Sequence, residues 1–331
     1  MIFKKRGKEV RWAKQVLNLS WDYRAARTVQ AAHATGILER LGAGPATAAK
    51  IAADRRLDAD MAEKVLIVLA ALGLAARRGA GWQLTAKARA TLVAASPFYQ
   101  GHAIAHSAQV GVFWNDLEQI VRGKKGGWVL VKKGGPPIRS HRDFILAMHN
   151  MATAGRAAEL ADRVDLKGRR TLMDIGGGPG SYAMALCERN PGLAATVFDL
   201  PETIRIARGL VGRLGMARRV KTLVGDWDKD EFGRDIDVVL LSSVLHGLPS
   251  GAEMKLAKAH RALVPGGLLI VQDFLMNARK TGPLIPAIFN VMVGAFSLPE
   301  LAELIRAAGF RRIGKTPMPE DVGTTILTAV K

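Results

Sequence analysis

TLMDIGGGPGSY, residues 171–182, decides the reading of this chain. A short apolar run, Thr171–Met173, leads into Asp174-Ile175-Gly176-Gly177-Gly178-Pro179-Gly180, and a helix is expected to begin near Tyr182. Glycines at this point let the backbone turn sharply and approach a ligand closely, while the helix N-terminus offers free amide donors. Gly176, Gly178 and Gly180 follow a G-x-G-x-G spacing. The dinucleotide fingerprint would need a further glycine at 181, where the chain has Ser181. The spacing therefore favours a nucleoside ligand without a pyrophosphate over NAD. An ordinary tight turn between a strand and a helix uses glycines too, so the loop must be judged with its neighbours.

Those neighbours are short apolar runs separated by helical stretches: ATVFDL (195–200), VKTLVGD (220–226), DVVLLSSVL (237–245), LLIVQDFL (268–275) and TTILTAV (324–330). Buried-type strands alternating with helices predict a parallel, doubly wound sheet, an α/β fold beginning near Asp165–Gly168. In such sheets ligands bind outside the carboxyl ends of the strands. Asp199 ends the second strand, 19 residues beyond Gly180, where a carboxylate can accept both hydroxyls of a ribose. Asp226-Trp227 ends the third, one group suited to the exocyclic amine of an adenine and the other to its face. Three such strand ends in order specify S-adenosyl-L-methionine, with its sulfonium and amino-acid end over the glycine loop.

Upstream the texture differs. The first 27 residues carry eight Lys/Arg against Glu9 and Asp22, with Trp12, Leu17, Leu19 and Trp21 among them. This reads as an amphipathic helix, either a solvated face or one that touches a membrane surface or a partner. Thr47 and Asp58 are expected to cap helices, the second carrying Val65, Leu66, Leu69 and Leu72 on its apolar face. Gly79-Ala80-Gly81, between two extended runs, signals a hairpin. Helix, helix, hairpin outlines a winged helix. Arg77, Arg78 and Lys87 would suit phosphates, but Asp60, Glu63 and Lys64 give the second helix few groups that read bases. Residues 97–165 read as helices interrupted by a Gly-, Pro- and Lys-rich loop over 122–139, after which a helix His141–Leu160 carries Phe144, Met148 and Met151 on one side.

Six segments, DIGGGPG (174–180), FDLP (198–201), GDW (225–227), SSVLHGLP (242–249), LVPGGLLIVQDFL (263–275) and AELIRAAGF (302–310), resemble the class I methyltransferases of the caffeate and acetylserotonin O-methyltransferase type. The resemblance covers nearly the whole chain. It implies a Rossmann-like catalytic domain with a mostly parallel seven-stranded sheet over 166–331. It also implies a winged-helix dimerisation domain over 1–95, and a helical linker over 96–165 that contributes to the acceptor pocket. Residue by residue, it implies cofactor contacts from Asp174, Gly176, Gly178, Gly180, Asp199, Leu200, Gly225, Asp226, Trp227 and Ser242. His246 matches the family's general base and Asp273 a carboxylate that orients it. A phenol titrates near about 10 and a histidine near about 6.5, so a neutral imidazole can take the proton as the methyl leaves the sulfonium. The acceptor pocket would draw on Phe144, Met148, Phe289, Asn290, Met292 and Val293, which suits an apolar or aromatic acceptor. The chain departs from the family in two places. Gly247-Leu248 replaces the usual Asp-Trp after the histidine, and the loop that carries a second supporting carboxylate is shortened near Phe296–Pro299.

Composition bounds the alternatives. The chain has 331 residues, one cysteine (Cys187) and seven histidines in no metal-binding spacing. This excludes a disulfide framework and Cys-rich zinc sites, and fits a reducing, cytoplasmic compartment. MIFKKRGKEVRW is basic but leads into no apolar core of the kind a signal peptide needs, and no apolar run reaches the length of a spanning helix. The net charge of +19 raises nucleic acid, an anionic membrane and acidic ligands as partners. Nucleic acid is disfavoured for want of base-reading residues, which leaves surface character, an acidic acceptor or peripheral membrane contact. The leading expectation is transfer of a methyl group to a hydroxyl of a small aromatic or hydrophobic acceptor by a homodimer. S- or C-methylation, a non-methylating reaction on the same fold, and a DNA-binding or cofactor-sensing protein are the alternatives.

Overall fold

The computed structural model describes residues 7–124, 141–246 and 251–331. Most of the expected loop over 122–139, and the departures Gly247 and Leu248, lie outside the described residues. The chain divides into two compact units, Met1–Val110 and Gly111–Lys331.

The first unit comprises helices α1 (Lys8–Trp21), α2 (Tyr23–Ala34), α3 (Ile37–Gly42), α4 (Ala48–Arg55) and α5 (Ala59–Ala71), then strands β1 (Ala75–Arg78) and β2 (Gly81–Leu84), helix α6 (Ala86–Leu92) and the start of α7 (Gly101–Asn115). Thr47 caps α4 by accepting the Lys50 amide at 3.2 Å, and Asp58 caps α5 through the Met61 amide at 2.8 Å. These bonds satisfy amides that the first helical turn leaves free. Ile37, Leu38, Leu41, Ile51, Leu66, Leu69, Trp82 and Leu84 form the core. Val65 is only half-buried and Leu72 is exposed, so the apolar face of α5 is narrower than its sequence suggests. β1 and β2 pair antiparallel across Gly79-Ala80, as the turn residues predict. Glu63 accepts the Trp82 indole N–H at 2.8 Å and pairs with Arg77 at 3.0 Å. One acid on α5 and one of the arginines suited to phosphate thus satisfy each other. α1 buries no residue, and its Trp12, Val16, Leu19 and Trp21 are exposed.

In the second unit, α8 (Leu117–Val121) and α9 (His141–Met151) are followed by a π-helical turn (Ala152–Arg156) and α10 (Ala157–Arg163). The single helix expected over 141–160 is therefore broken. Gly155 adopts φ 114, which no residue with a Cβ reaches cheaply, and the ladder is reset there. Next come β3 (Thr171–Ile175), α11 (Ser181–Arg189), β4 (Ala194–Asp199), α12 (Pro201–Arg213), β5 (Val220–Val224) and β6 (Ile236–Ser242). α13 (Ala252–Ala262), β7 (Leu263–Asp273), α14 (Leu284–Val293), α15 (Leu298–Ala307), β8 (Arg311–Pro317) and β9 (Thr325–Val330) complete the chain.

The seven strands lie in the order β5-β4-β3-β6-β7-β9-β8, parallel from β5 to β7, with β9 antiparallel to both β7 and β8. Strand order reverses between β3 and β6, so the crevice for a ligand opens at their carboxyl ends. β8 is the strand the sequence hides. It is an edge strand carrying Arg311, Arg312 and Lys315, charges that discourage edge-to-edge pairing and also mask the apolar pattern of a strand. Two cores flank the sheet. Leu160, Leu186, Cys187, Val211, Leu240 and Ile326 pack with α10, α11 and α12 on one face; Ile175, Val239, Leu256, Leu269, Val271 and Ile305 pack with α13 and α15 on the other. Burial raises the Cys187 thiol to about 11, so it is an inert packing group. No helix among the described residues is long and apolar enough to cross a membrane.

Candidate active site

Four aspartates stand at the carboxyl edge of the sheet. Asp174 is the penultimate residue of β3, Asp199 ends β4, Asp226 follows β5 and Asp273 ends β7. Asp174 is wholly buried, and neither carboxyl oxygen has a hydrogen-bond partner among the described residues. Desolvation, reinforced by the charge of Asp199 and tempered by the nearby Ala183 amide, raises its pKa to about 7. Above it the glycine loop runs through positive φ at Gly176, Gly178 and Gly180. A Cβ at Gly176 would lie 2.5 Å from the Trp227 ring and 2.8 Å from Val244, whereas Gly178 faces open space. The loop is packed from below and open above, with α11 starting at Ser181 and its amides turned towards it.

Asp199 accepts the Gly178 amide at 2.9 Å and the Leu200 amide at 2.7 Å, so one carboxylate ties the glycine loop to the start of α12. Its pKa is raised by burial, against the bonds from Leu200 and Gly178. Leu200 itself is exposed and enters through its backbone. Gly225 is fixed by packing, because any Cβ there would collide with the Phe198 ring. Asp226 accepts the Asp228 amide and pairs with Lys229 at 3.1 Å, interactions that lower its pKa, the amide first. Ser242 donates to Gln272 at 3.2 Å, and Gln272 donates to Thr324 at 3.0 Å. The Tyr182 phenol approaches the same pair, its pKa raised by burial.

His246 and Asp273 are brought together. Nδ1 lies 2.8 Å from Asp273 Oδ1, which also accepts the Phe274 amide at 2.8 Å. With Nδ1 donating to this carboxylate, the Nε2 lone pair remains for a proton acceptor's work. The chain reaches this geometry through a turn in which Ser243 holds φ 55, a strained value for a residue with a side chain, secured by its amide bond to the Gln272 carbonyl at 2.8 Å. The Asp273 Oδ2 atom is buried without a hydrogen bond among the described residues. Phe289 meets the imidazole edge-on at 4.9 Å and stacks on Phe274 at 3.8 Å, so two rings border the dyad.

The other expected acceptor residues divide. Phe144 and Met148 are half-buried one turn apart on α9, and Met292 and Val293 are half-buried at the end of α14. Asn290 is exposed, and its side-chain oxygen accepts the Ala295 amide at 2.9 Å; it terminates α14. The shortened loop has its own solution. Ser297 and Glu300 form a capping box at the start of α15, and Glu300 also pairs with Lys280 at 2.6 Å, so this carboxylate is occupied away from the dyad.

Several groups near the site escaped the sequence reading. On α9, His149 Nδ1 lies 2.8 Å from the Ser181 hydroxyl, and His141 Nε2 lies 2.8 Å from that of Thr203. Two histidines eight residues apart thus clamp α9 onto the N-terminal turns of α11 and α12; their spacing was the available signal. Lys258, almost fully buried, donates to the carbonyls of Trp227 and Asp230 at 2.7 and 2.9 Å and holds the loop after β5. Lys255 bonds the Val244 carbonyl at 2.9 Å and lies 4.3 Å above the Trp227 ring. His260 is half-buried against Phe310 at 5.0 Å.

The donor set can be tested against the cofactor expected from the sequence. An orphaned buried carboxyl under an open glycine cradle, beside a second carboxylate at the next strand end, fits a cationic ligand bearing a ribose. A phosphate would be set against the two carboxyls, Asp174 and Asp199.

Comparison with known proteins agrees with this chemistry. A family model described as an O-methyltransferase domain matches residues 135–311. The 3-hydroxy-5-methyl-1-naphthoate 3-O-methyltransferase of Streptomyces sahachiroi is 29% identical over 320 residues, covering 92% of this chain and 91% of that one. The N,N-dimethyltransferase OxyT of Streptomyces rimosus is 28% identical over 338 residues, with 96% of each covered. Human N-acetylserotonin methyltransferase, solved in complex with SAM, has the same fold, with a TM-score of 0.81 at 23% identity over 99% of each chain.

Proposed function

The chain belongs to the O-methyltransferase domain family, and we propose that it moves a methyl group from S-adenosyl-L-methionine to a hydroxyl of a small aromatic or hydrophobic acceptor, with His246 as general base. The observation that carries this reading is the His246–Asp273 pair at 2.8 Å, bordered by aromatic rings at the edge of a sheet whose glycine loop fits the donor. When bound, S-adenosyl-L-methionine supplies an electrophilic methyl group on a sulfonium.

The chain's own residues do the rest. His246 takes the hydroxyl proton on Nε2, and Asp273 fixes the tautomer and stabilises the imidazolium that forms. Phe274 and Phe289, stacked on each other, exclude water and form one wall for a flat acceptor, so that much of the rate comes from alignment. Asp199 and Asp226 hold the ribose and the adenine, Asp174 balances the donor's positive charge, and Trp227 with Ser242 completes the nucleoside side. A relative whose name specifies a hydroxynaphthoate acceptor supports the aromatic class. Phe144, Met148, Met292 and Val293 line the acceptor side in this reading.

The first unit, winged-helix-like in its helices and hairpin, serves as the dimerisation module, the exposed apolar residues of α1 supplying surface for a second copy. A reducing, cytoplasmic setting suits the buried lone thiol. The test is binding and transfer. Calorimetry should show S-adenosyl-L-methionine binding, and labelled donor should pass its methyl to hydroxyl acceptors in the wild type and far less in His246→Ala, with donor affinity retained. Donor binding lost along with turnover would move His246 to the cofactor site, and undiminished turnover would remove it as the base.

A further inference from the structure

Arg156 has no role in the reading above, and its surroundings give it one. It is the last residue of the π-helical turn, directly after Gly155, and the φ of 114 at that glycine is what re-aims the chain there. Such turns recur at functional sites because they point a side chain where a regular helix would not. The guanidinium is half-buried and lies 5.7 Å from the centre of the Phe274 ring, the ring that stacks on Phe289 and borders His246. It is also near enough to the Tyr182 phenol to act on its ionisation.

What the guanidinium lacks is an acid. Among the described residues no carboxylate forms an ion pair with it. Glu159, one turn away, is taken by Arg163, and Asp273 by His246. Residues 1–6, 125–140 and 247–250 contain no Asp or Glu. Arginine is always charged and presents a fork of donors that matches a carboxylate, so a half-buried one against an aromatic wall, with no carboxylate partner among the described residues, is built to meet an anion. The donor's amino-acid end falls to the glycine loop and the amides of α11, on the Asp174 side. The aromatic wall borders the acceptor.

We infer that Arg156 binds a carboxylate carried by the acceptor, so that the substrate class is hydroxyarene carboxylic acids. The ring lies against the wall that Phe274 and Phe289 form, the hydroxyl is presented to His246, and the acid group reaches the guanidinium. The inference rests on the methyltransferase reading and deepens it.

The test uses the full-length protein with matched acceptor probes: meta- and para-hydroxybenzoic acid and a hydroxynaphthoic acid, each against its methyl ester. Wild type, Arg156→Gln and Arg156→Lys are compared, and S-adenosyl-L-homocysteine binding is measured separately by calorimetry. The wild type should prefer at least one acid over its ester by about ten- to a hundredfold in KM or Kd, the range of a charge-assisted pair. Arg156→Gln should abolish that preference by weakening the acid alone, with S-adenosyl-L-homocysteine affinity unchanged, and Arg156→Lys should keep part of it. Equal binding of acid and ester in the wild type for every pair would overturn the inference without reference to any variant. Weakened S-adenosyl-L-homocysteine binding in Arg156→Gln would overturn it by assigning the guanidinium to the donor's own carboxylate. If the wild type does not bind S-adenosyl-L-homocysteine at all, the methyltransferase reading fails first.

Discussion

Replacing Asp174 with asparagine should change how the stability of the ligand-free protein depends on pH. The carboxyl titrates at 3.8 in the unfolded reference and at about 7 in the fold, where burial and Asp199 oppose its ionisation. Between those values the folded state binds a proton that the unfolded state has released. Stability therefore falls as pH rises through this window, and it levels off above about pH 7. About three pH units at 1.36 kcal/mol each amount to roughly 4 kcal/mol lost between the two ends. The side chain introduced by Asp174→Asn cannot ionise and removes this dependence, although its buried amide carries its own cost of about 1–3 kcal/mol. The absolute stabilities are therefore less telling than the slopes. Urea unfolding in one-unit steps from about pH 4 to pH 8 should give a difference between wild type and Asp174→Asn that changes by up to about 1.4 kcal/mol per unit, and then becomes constant. Parallel profiles would refute the reasoning, because they would mean that the carboxyl is solvated or bonded in the folded state. Saturating S-adenosyl-L-methionine should flatten the wild-type profile, since a cation beside the carboxylate favours its charged form, and Asp174→Asn should bind that donor weakly.

Three further outcomes follow from single contacts. His246→Ala should lower kcat by about 10²–10⁴-fold with donor Kd unchanged, as expected for loss of a general base, measured by label transfer and calorimetry. Gly176→Ala places a methyl 2.5 Å from the Trp227 ring at a residue with φ 63, so it should abolish donor binding and lower the melting temperature. A variant of wild-type affinity would show that the loop gives way freely. Ser297→Ala removes one half of the capping box on α15 and should cost about 1 kcal/mol in urea unfolding, leaving kcat unaffected, because Glu300 serves Lys280 and the cap rather than the dyad.

What the sequence disclosed follows its periodicity. The strands β3, β4, β6 and β7 read as apolar runs because their middles are packed on both faces, and their ends led directly to Asp199; Asp174, Ser242 and Asp273 came as site residues through the family resemblance. β8 did not read as a strand, because an edge strand is selected for charge on its exposed side. The glycine loop was legible because positive φ leaves a compositional mark; the break at Gly155 was not, because a lone glycine in an alanine-rich helix leaves no comparable one. His246 was found only through its resemblance to a family motif, since nothing local distinguishes it from His149 or His260. Arg156 and Lys258 were invisible for another reason. Their meaning lies in what they face, a ring from β7's end and two carbonyls after β5, and those partners lie between 28 and 118 residues away along the chain.

The charge of the molecule and the charge of the site have opposite signs, and this bears on how two substrates reach one crevice. The chain carries +19 overall, yet an aspartate stands at or beside the carboxyl end of four strands at the crevice. A sulfonium donor approaches a repelling surface and is held by short-range interactions with partly buried carboxylates, where added salt screens little. An anionic acceptor is drawn in by the long-range field and docks on Arg156, which has no acid partner among the described residues. The two associations should therefore respond differently to ionic strength. Between about 20 mM and about 300 mM salt the Debye length falls from roughly 20 Å to below roughly 6 Å, so the KM of a hydroxybenzoic acid should rise several-fold while that of its methyl ester stays level. Donor Kd should change little, or tighten as the repulsive surface is screened. An ester as salt-sensitive as its acid would locate the effect in the protein's own stability or assembly, and would remove the excess of lysine and arginine from any account of acceptor capture.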